Sequence, residues 1–309
     1  MQAARATARR NIMREFLVGT DWWTDCDDAV ALRLLARAHR AGEIRIRGMG
    51  INACMPDSAA SLAGFLRLEG VTAIPLGLDR AATDFGGRPP YQHHLAQYAP
   101  DWHNDRAEDA IVLYRRLLAA AETPLEIIEI GYPQVLAGLL GSPADALSPL
   151  GGLELVRQKV KKCWVMAGKW DENPGRENNF ARNERSRRAG AALCRLCPVP
   201  ITFLGWEAGA SVITGNKLEP GDALAQALRD HGSGNGRSSW DPMLALLALT
   251  GDETAAGYDT VRGRASVDPE TGCNHFTQAP DGPHCFVVKN RPDGFYQRAI
   301  NEKIKTMRK

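Results

Sequence analysis

Four aspartates lie within eight residues near the start of the chain. Asp21, Asp25, Asp27 and Asp28 follow a short apolar segment and precede a run with helical spacing. Carboxylates this close repel one another unless something neutralises them. A helix N-terminus stabilises about one of them, whereas a divalent cation stabilises several. The carboxylate oxygens of these four aspartates are hard ligands, which predict Ca²⁺ or Mg²⁺ rather than Zn²⁺. The alternative is a solvated acidic turn with aspartate N-caps.

The acidic cluster does not have the spacing of an EF-hand. An EF-hand loop needs an acidic or amide residue at its third position and glycine at its sixth, where this sequence has Trp23 and Cys26. The cluster must therefore be positioned by the strand before it and the helix after it.

Strand and helix patterns alternate along the chain. Strands are predicted at residues 14–20, 44–52, 71–77, 125–131, 162–168 and 201–205. Helices are predicted at residues 28–41, 58–68, 107–121, 133–140, 184–196, 223–229 and 242–249. This alternation predicts an α/β fold, an open and mostly parallel sheet with helices on both faces. Residues 260–267 and 283–289 predict a small C-terminal β/α appendage before a final helix. Ligands of such sheets bind beyond the carboxyl ends of the strands.

Composition excludes several classes of function. The chain has 309 residues, 44% hydrophobic and 24% charged, with a net charge of +2, so no strong basic field favours nucleic acid. No apolar run approaches 18 residues, so we expect no membrane span. Seven cysteines are an odd number, which favours reduced thiols and a cytoplasmic protein. We expect residues 1–13 to be a disordered basic extension and residues 14–309 to form a single domain.

The region from Asp21 to Ala29 resembles the acidic N-terminal signature of the inosine/uridine-preferring nucleoside hydrolases, in the branch that reads D-x-G-T-D-x-D-D. Further matches follow in the family's order as far as Pro242, and together they are specific for the superfamily but not for a substrate. They are Asn52, residues 130–137 (IGYPQVLA) for I-G-P-L-T-N-L-A, 166–168 (MAG) for M-G-G, 177–183 (ENNFARN) for E-x-N-[IF]-x-x-D, 207–209 (EAG) for E-x-G, and 239–242 (SWDP) at the position of H-D-P.

This resemblance implies Ca²⁺-dependent hydrolysis of the N-glycosidic bond of a ribonucleoside or related N-riboside, giving ribose and free base. The implied metal ligands are Asp28, the carbonyl of Gln134 and Asp241, with Asp25 or Asp21 completing the set. The implied ribose-binding residues are Asp27, Asn52, Glu177 and Asn179. Less specific interpretations are a strand-end turn for Asn52, a solvated loop for Glu177 and Asn179, and a helix N-cap for Asp241.

Two departures from the family pattern affect the mechanism. Trp23 stands where the usual pattern has its second aspartate, which is base and metal ligand, so we expect Asp25 to act as the base, with Asp21 as the alternative. Trp240 replaces the histidine associated with protonating the leaving group. Trp22, Trp23 and Trp240 could stack on an aromatic base, or they could be packing residues.

Two rival functions remain at this stage. The first is a catalytically impaired nucleoside- or sugar-binding protein on the same scaffold. The second, a metal phosphohydrolase, is disfavoured because the sequence lacks a D-x-D-x-T nucleophile pattern and a glycine-rich phosphate loop with lysine. We expect a small-molecule ligand, a homodimer or homotetramer, and no nucleic-acid or membrane partner.

Overall fold

The computed structural model describes residues 13–22, 25–87 and 91–306. Trp23 and residues 1–12 of the predicted extension lie outside this range. Within it, the strands form one eleven-stranded sheet and one two-stranded sheet.

The strands alternate with helices through most of the chain. They are β1 (Arg14–Thr20), β2 (Ile44–Ile51), β3 (Leu76–Leu78), β4 (Glu108–Asp109), β5 (Leu125–Glu129), β6 (Val160–Met166), β7 (Gly175–Arg176), β8 (Ile201–Leu204), β9 (Ile213–Thr214), β10 (Arg237–Ser238), β11 (Tyr258–Val267), β12 (Cys273–Gln278) and β13 (His284–Lys289). The large sheet has the order β4-β3-β2-β1-β5-β6-β8-β13-β11-β12-β7, and β9 pairs with β10.

The sheet is parallel from β4 to β13 and antiparallel from β13 to β7. β1 lies near its centre and is apolar on both faces: Phe16 and Val18 pack into one core, while Leu17 packs into the other. A strand buried on both faces needs such a continuous apolar run.

Helices cover both faces of the sheet. They are α1 (Asp27–Arg40), α2 (Ser58–Leu68), α3 (Gln92–Ala96), α4 (Ala110–Ala119), α5 (Gln134–Gly141), α6 (Gly152–Lys159), α7 (Asn178–Ala181), α8 (Glu184–Leu196), α9 (Trp206–Gly209), α10 (Ala223–Asp230), α11 (Trp240–Thr250) and α12 (Asp293–Ile304). One core holds buried residues of α1, α2, α11 and α12, and the other holds those of α4, α5 and α8. No helix of the described part of the chain is long and apolar enough to cross a membrane.

The predicted α/β fold, with a mostly parallel sheet, is confirmed, and its differences from the prediction are local. Only the end of the predicted strand 71–77 is regular, because Pro75 has no N–H to give to a ladder; its carbonyl accepts from Met49 instead, at 2.9 Å. α6 and β12 were not predicted. The C-terminal strands continue the large sheet, since β13 lies between β8 and β11.

Candidate active site

The N-termini of two helices meet at the carboxyl edge of the sheet. Asp27 and Asp28 lie in the first turn of α1, and Asp241 lies in the first turn of α11. The backbone N–H of Asp241 donates to Asp27 Oδ2 at 3.0 Å, which links the two helix starts. Both helix dipoles favour negative charge here, so the folding of α1 against α11 brings together carboxylates that are distant in sequence.

Asp27, Asp28 and Asp241 form a buried acidic trio. One carboxylate oxygen from each lies within 4.8 Å of the others. The side chains are 3%, 2% and 5% exposed, respectively. The Thr20 hydroxyl donates to Asp28, and so does the Trp22 N–H at 3.3 Å. Burial and the neighbouring carboxylates raise the pKa of all three well above the usual value. Three buried oxygen donors with excess negative charge fit a hard divalent cation such as Ca²⁺.

Asp21 lies beside this trio, at the end of β1. It lines the same pocket, is 7% exposed, and its charge contributes to the raised pKa of Asp28 and Asp241. The next residue, Trp22, is fully buried, and its Nε1 donates to Ser61 Oγ at 2.7 Å. The structure therefore places Trp22 in the core, where it does not reach a ligand in the pocket.

Asp25 is held in an ion pair with Arg237, which is 212 residues away in sequence. Arg237 Nε donates to Asp25 Oδ1 at 2.8 Å, and Nη2 contacts the second oxygen. The Cys26 N–H also donates to Oδ1, at 2.7 Å. Burial alone would raise the pKa of Asp25, but the hydrogen bonds and charge of Arg237 hold it below the usual value. A carboxylate paired in this way is a weak base.

A pocket of about 370 Å³ opens over the trio and over Asp25. The predicted residues that line it are Asp21, Asp25, Asp27, Asp28, Glu177, Asn179, Trp240 and Asp241. Sequence reasoning missed Arg182, Trp206 and Arg237, which also line it. A larger groove, about 850 Å³, lies at the C-terminal ends of α1 and α12 and contains none of the predicted residues.

Glu177 and Asn179 are fixed by the backbone around the pocket. Glu177 caps α7: its Oε1 accepts from the Asn179 N–H at 2.7 Å, and its Oε2 accepts from the Gly168 N–H at 2.9 Å. Burial raises the pKa of Glu177 to about 7. Asn179 Nδ2 donates to the Met166 carbonyl at 2.9 Å, so the end of β6 and the start of α7 position both side chains.

Asn52 and Gln134 lie behind the pocket wall and do not line it. Asn52 is fully buried; its Nδ2 donates to Glu129 Oε1 at 2.8 Å, and its Oδ1 accepts from the Tyr132 N–H at 3.0 Å. Gln134 Nε2 donates to the Asn52 carbonyl. The predicted ribose contact of Asn52 and the predicted metal ligation by the Gln134 carbonyl both stay predictions.

An aromatic wall closes one side of the pocket. The rings of Trp206 and Trp240 stack at 6.4 Å between centroids, and Trp240 Nε1 donates to the Trp206 carbonyl at 2.7 Å. The Arg237 guanidinium lies 5.3 Å from the Trp240 ring centroid. Trp206 comes two residues after β8 ends, so attention to strand ends could have identified it.

Comparisons with known proteins identify the fold. No protein-family model matches the chain, and no curated protein matches it. A solved plant nucleoside hydrolase has 15% identity and a TM-score of 0.71, covering 94% of this chain and 98% of its own. The inosine-uridine preferring nucleoside hydrolase from Bacillus anthracis has 14% identity and a TM-score of 0.65, covering 94% and 100%. The type III effector XopQ, solved complexed with adenosine diphosphate ribose, has 15% identity and a TM-score of 0.66, covering 96% and 94%.

Proposed function

We propose that this chain, which has the nucleoside hydrolase fold, is a Ca²⁺-dependent hydrolase of a ribonucleoside or related N-riboside. It would cleave the N-glycosidic bond and release ribose and the free base. The observation that carries the proposal is the buried trio Asp27, Asp28 and Asp241 beneath a pocket of about 370 Å³. Burying carboxylates costs free energy of folding, and sites that bind a cation or carry out catalysis are where such groups cluster.

Asp28 and Asp241 would hold the cation, with Asp21 beside them. A bound divalent cation supplies a site for the ribose diol and lowers the pKa of a water molecule. Asp27, Glu177 and Asn179 would bind the ribose hydroxyls, because all three line the same pocket, in segments that follow different strands of the sheet.

We assign the base to Asp21 rather than to Asp25. The base must take a proton from water as the oxygen attacks C1′ of the ribose. Arg237 occupies both oxygens of Asp25, whereas Asp21 lines the pocket beside Asp28 and Asp241 and its charge contributes to their raised pKa values. The leaving nucleobase of the substrate would lie against Trp206 and Trp240, since aromatic rings stack on flat heterocycles.

The test compares matched variants on a panel of ribonucleosides with calcium present. Asp21→Asn should lower the rate of ribose release about 10²–10⁴-fold, the usual cost of losing a positioned base. Asp25→Asn should cost less if it retains bound calcium, which elemental analysis measures. Equal losses in both variants, with calcium retained, would contradict the assignment. Absence of ribose release from calcium-loaded wild type on the whole panel would refute the hydrolase.

A non-catalytic nucleoside- or sugar-binding protein is the second candidate. It is favoured by Trp23 at the position of a family aspartate and by the ion-paired state of Asp25. The similarity to XopQ suggests adenosine diphosphate ribose as a test ligand. Calorimetric binding of that ligand without its turnover would support this candidate. A cytoplasmic location and a homodimer or homotetramer stay predictions, and light scattering measures the assembly.

A further inference from the structure

A second group of metal-ligating side chains lies beside the acidic trio. Asp25, Cys26 and His231 each offer one ligand atom, and these atoms lie within 4.8 Å of one another. Asp25 and Cys26 immediately precede α1, whereas His231 immediately follows α10. Unlike the trio, this group offers one oxygen, one sulfur and one nitrogen.

We propose that Asp25, Cys26 and His231 bind a zinc-like divalent cation at a site separate from the acidic trio. Thiolate and imidazole ligands select Zn²⁺ over Ca²⁺, which takes oxygen ligands only. Metal–ligand distances of about 2.0–2.3 Å in a tetrahedron place ligand atoms roughly 3.5 Å apart. Because the ligand atoms lie within 4.8 Å of one another, each pair needs to approach by at most about 1.3 Å. A carboxylate and a thiolate together supply the two negative charges that neutralise the ion.

Ser233 orients two of the three ligands. Its Oγ lies 2.9 Å from His231 Nδ1, and it also hydrogen-bonds the Cys26 thiol. Zinc-binding histidines commonly have a partner of this kind on one ring nitrogen. Cys26 is buried, but Asp25 lines the pocket, which gives the ion a path from solvent. On binding, the sulfur–metal bond replaces the S–H bond of Cys26, and the proton leaves to solvent.

Binding at this site would also change the pocket wall. Arg237 now holds both oxygens of Asp25, so a cation that takes one of them replaces part of the Arg237 interaction. Arg237 is itself a wall residue that contacts the Trp240 ring. Zinc and the aromatic wall are thereby linked through one arginine.

Cobalt titration tests the site without any measurement of turnover. Co²⁺ takes the place of Zn²⁺ and gives a thiolate charge-transfer band, and excess Ca²⁺ keeps the trio saturated. Wild-type protein should show a band that saturates at one equivalent and disappears when Zn²⁺ is added. Cys26→Ser should abolish the band. His231→Gln should weaken cobalt binding more than about 100-fold, beyond the usual cost of losing a second-shell partner.

Cys54→Ser is the matched control, because Cys54 is a half-buried thiol outside the group. It should leave the band and the cobalt affinity unchanged. Wild-type protein without a band would overturn the proposal. Wild-type affinity in His231→Gln, whose half-exposed site tolerates glutamine, would overturn it equally, because His231 would then not be a ligand. Either result would leave the proposed hydrolase untouched.

Discussion

Replacing Asp241 should have opposite effects on the protein with and without calcium. The carboxylate oxygens of the trio lie at most 4.8 Å apart, so at a dielectric constant of about 20 each ionised pair costs at least about 3.5 kcal/mol. Asp241→Asn removes two of the three pairs. The raised pKa values indicate that carboxyl groups of the trio keep protons in the metal-free wild type, which limits the electrostatic repulsion between them. We therefore expect the free energy of unfolding of the metal-free variant to exceed that of the metal-free wild type by about 2 kcal/mol at pH 7.

Calcium should reverse this order of stability. At a concentration 100 times Kd, a ligand that binds only the folded state adds about 2.7 kcal/mol. Wild-type Tm should therefore rise by roughly 5 °C when calcium is added to chelator-treated protein, whereas the Tm of Asp241→Asn should not respond. Differential scanning calorimetry of both proteins, with calcium and with chelator, measures all four values.

Asp222→Asn provides the matched control for a buried aspartate. Asp222 accepts from Arg33 at 2.9 Å and lies away from the trio. Its replacement breaks a buried ion pair and should lower the free energy of unfolding by about 3–5 kcal/mol, with the calcium response unchanged. Two results together would contradict this prediction: a wild-type Tm that does not change with calcium, and a metal-free Asp241→Asn variant that is destabilised as much as Asp222→Asn. Asp241 would then serve only to stabilise the N-terminus of α11.

Three further outcomes follow from buried groups near the pocket. Burial raises the pKa of Glu129 from 4.5 to about 8. The stability gained from protonating Glu129 is therefore fully present below pH 4.5 and is lost as the pH rises through 8. Glu129→Gln should flatten the fall in the free energy of unfolding between pH 5 and 8, measured by urea unfolding. A Cβ on Gly19 would lie 2.2 Å from Glu129 Oε2, so Gly19→Ala should cost about 1–3 kcal/mol, and an unchanged urea midpoint would contradict this contact. Trp206→Ala should raise KM for nucleosides while ribose binding stays constant, because we propose that its ring stacks on the leaving nucleobase. An equal loss of ribose affinity would argue against that placement.

Most of the fold could be predicted from the sequence because its strands are short, apolar and separated by helices with clear periodicity. The strand predicted at residues 14–20 and the helix predicted at 184–196 have the observed bounds. β12 was missed because its residues, Cys273–Gln278, carry no clear apolar alternation: only Asn274 is buried, and its order arises from pairing with β11 and β7.

The site residues that are neighbours in sequence could be predicted, whereas contacts between residues distant in sequence could not. The aspartates around α1 are visible as a local cluster. The pairing of Asp25 with Arg237 depends on a residue 212 positions away, and no spacing rule indicates it. Asn52 was expected to contact the ligand, which stays a prediction, and the sequence did not indicate its hydrogen bond to the buried carboxylate of Glu129. Asn52 follows β2 and Glu129 ends β5, on either side of β1, and the sequence does not display this strand order.

The position of β13 between β8 and β11 has a consequence for folding during synthesis. Chains emerge from the ribosome at about 5–20 residues per second, and early segments begin to fold first. Until residue 289 has emerged, the β8 side of the parallel sheet is an unprotected edge, a template for pairing with another nascent chain. β7, which directly precedes Glu177, pairs with β12 and therefore joins the sheet at the same late stage. The pocket would therefore be completed after most of the core, and a chaperone that shields the β8 edge should raise the yield of folded protein.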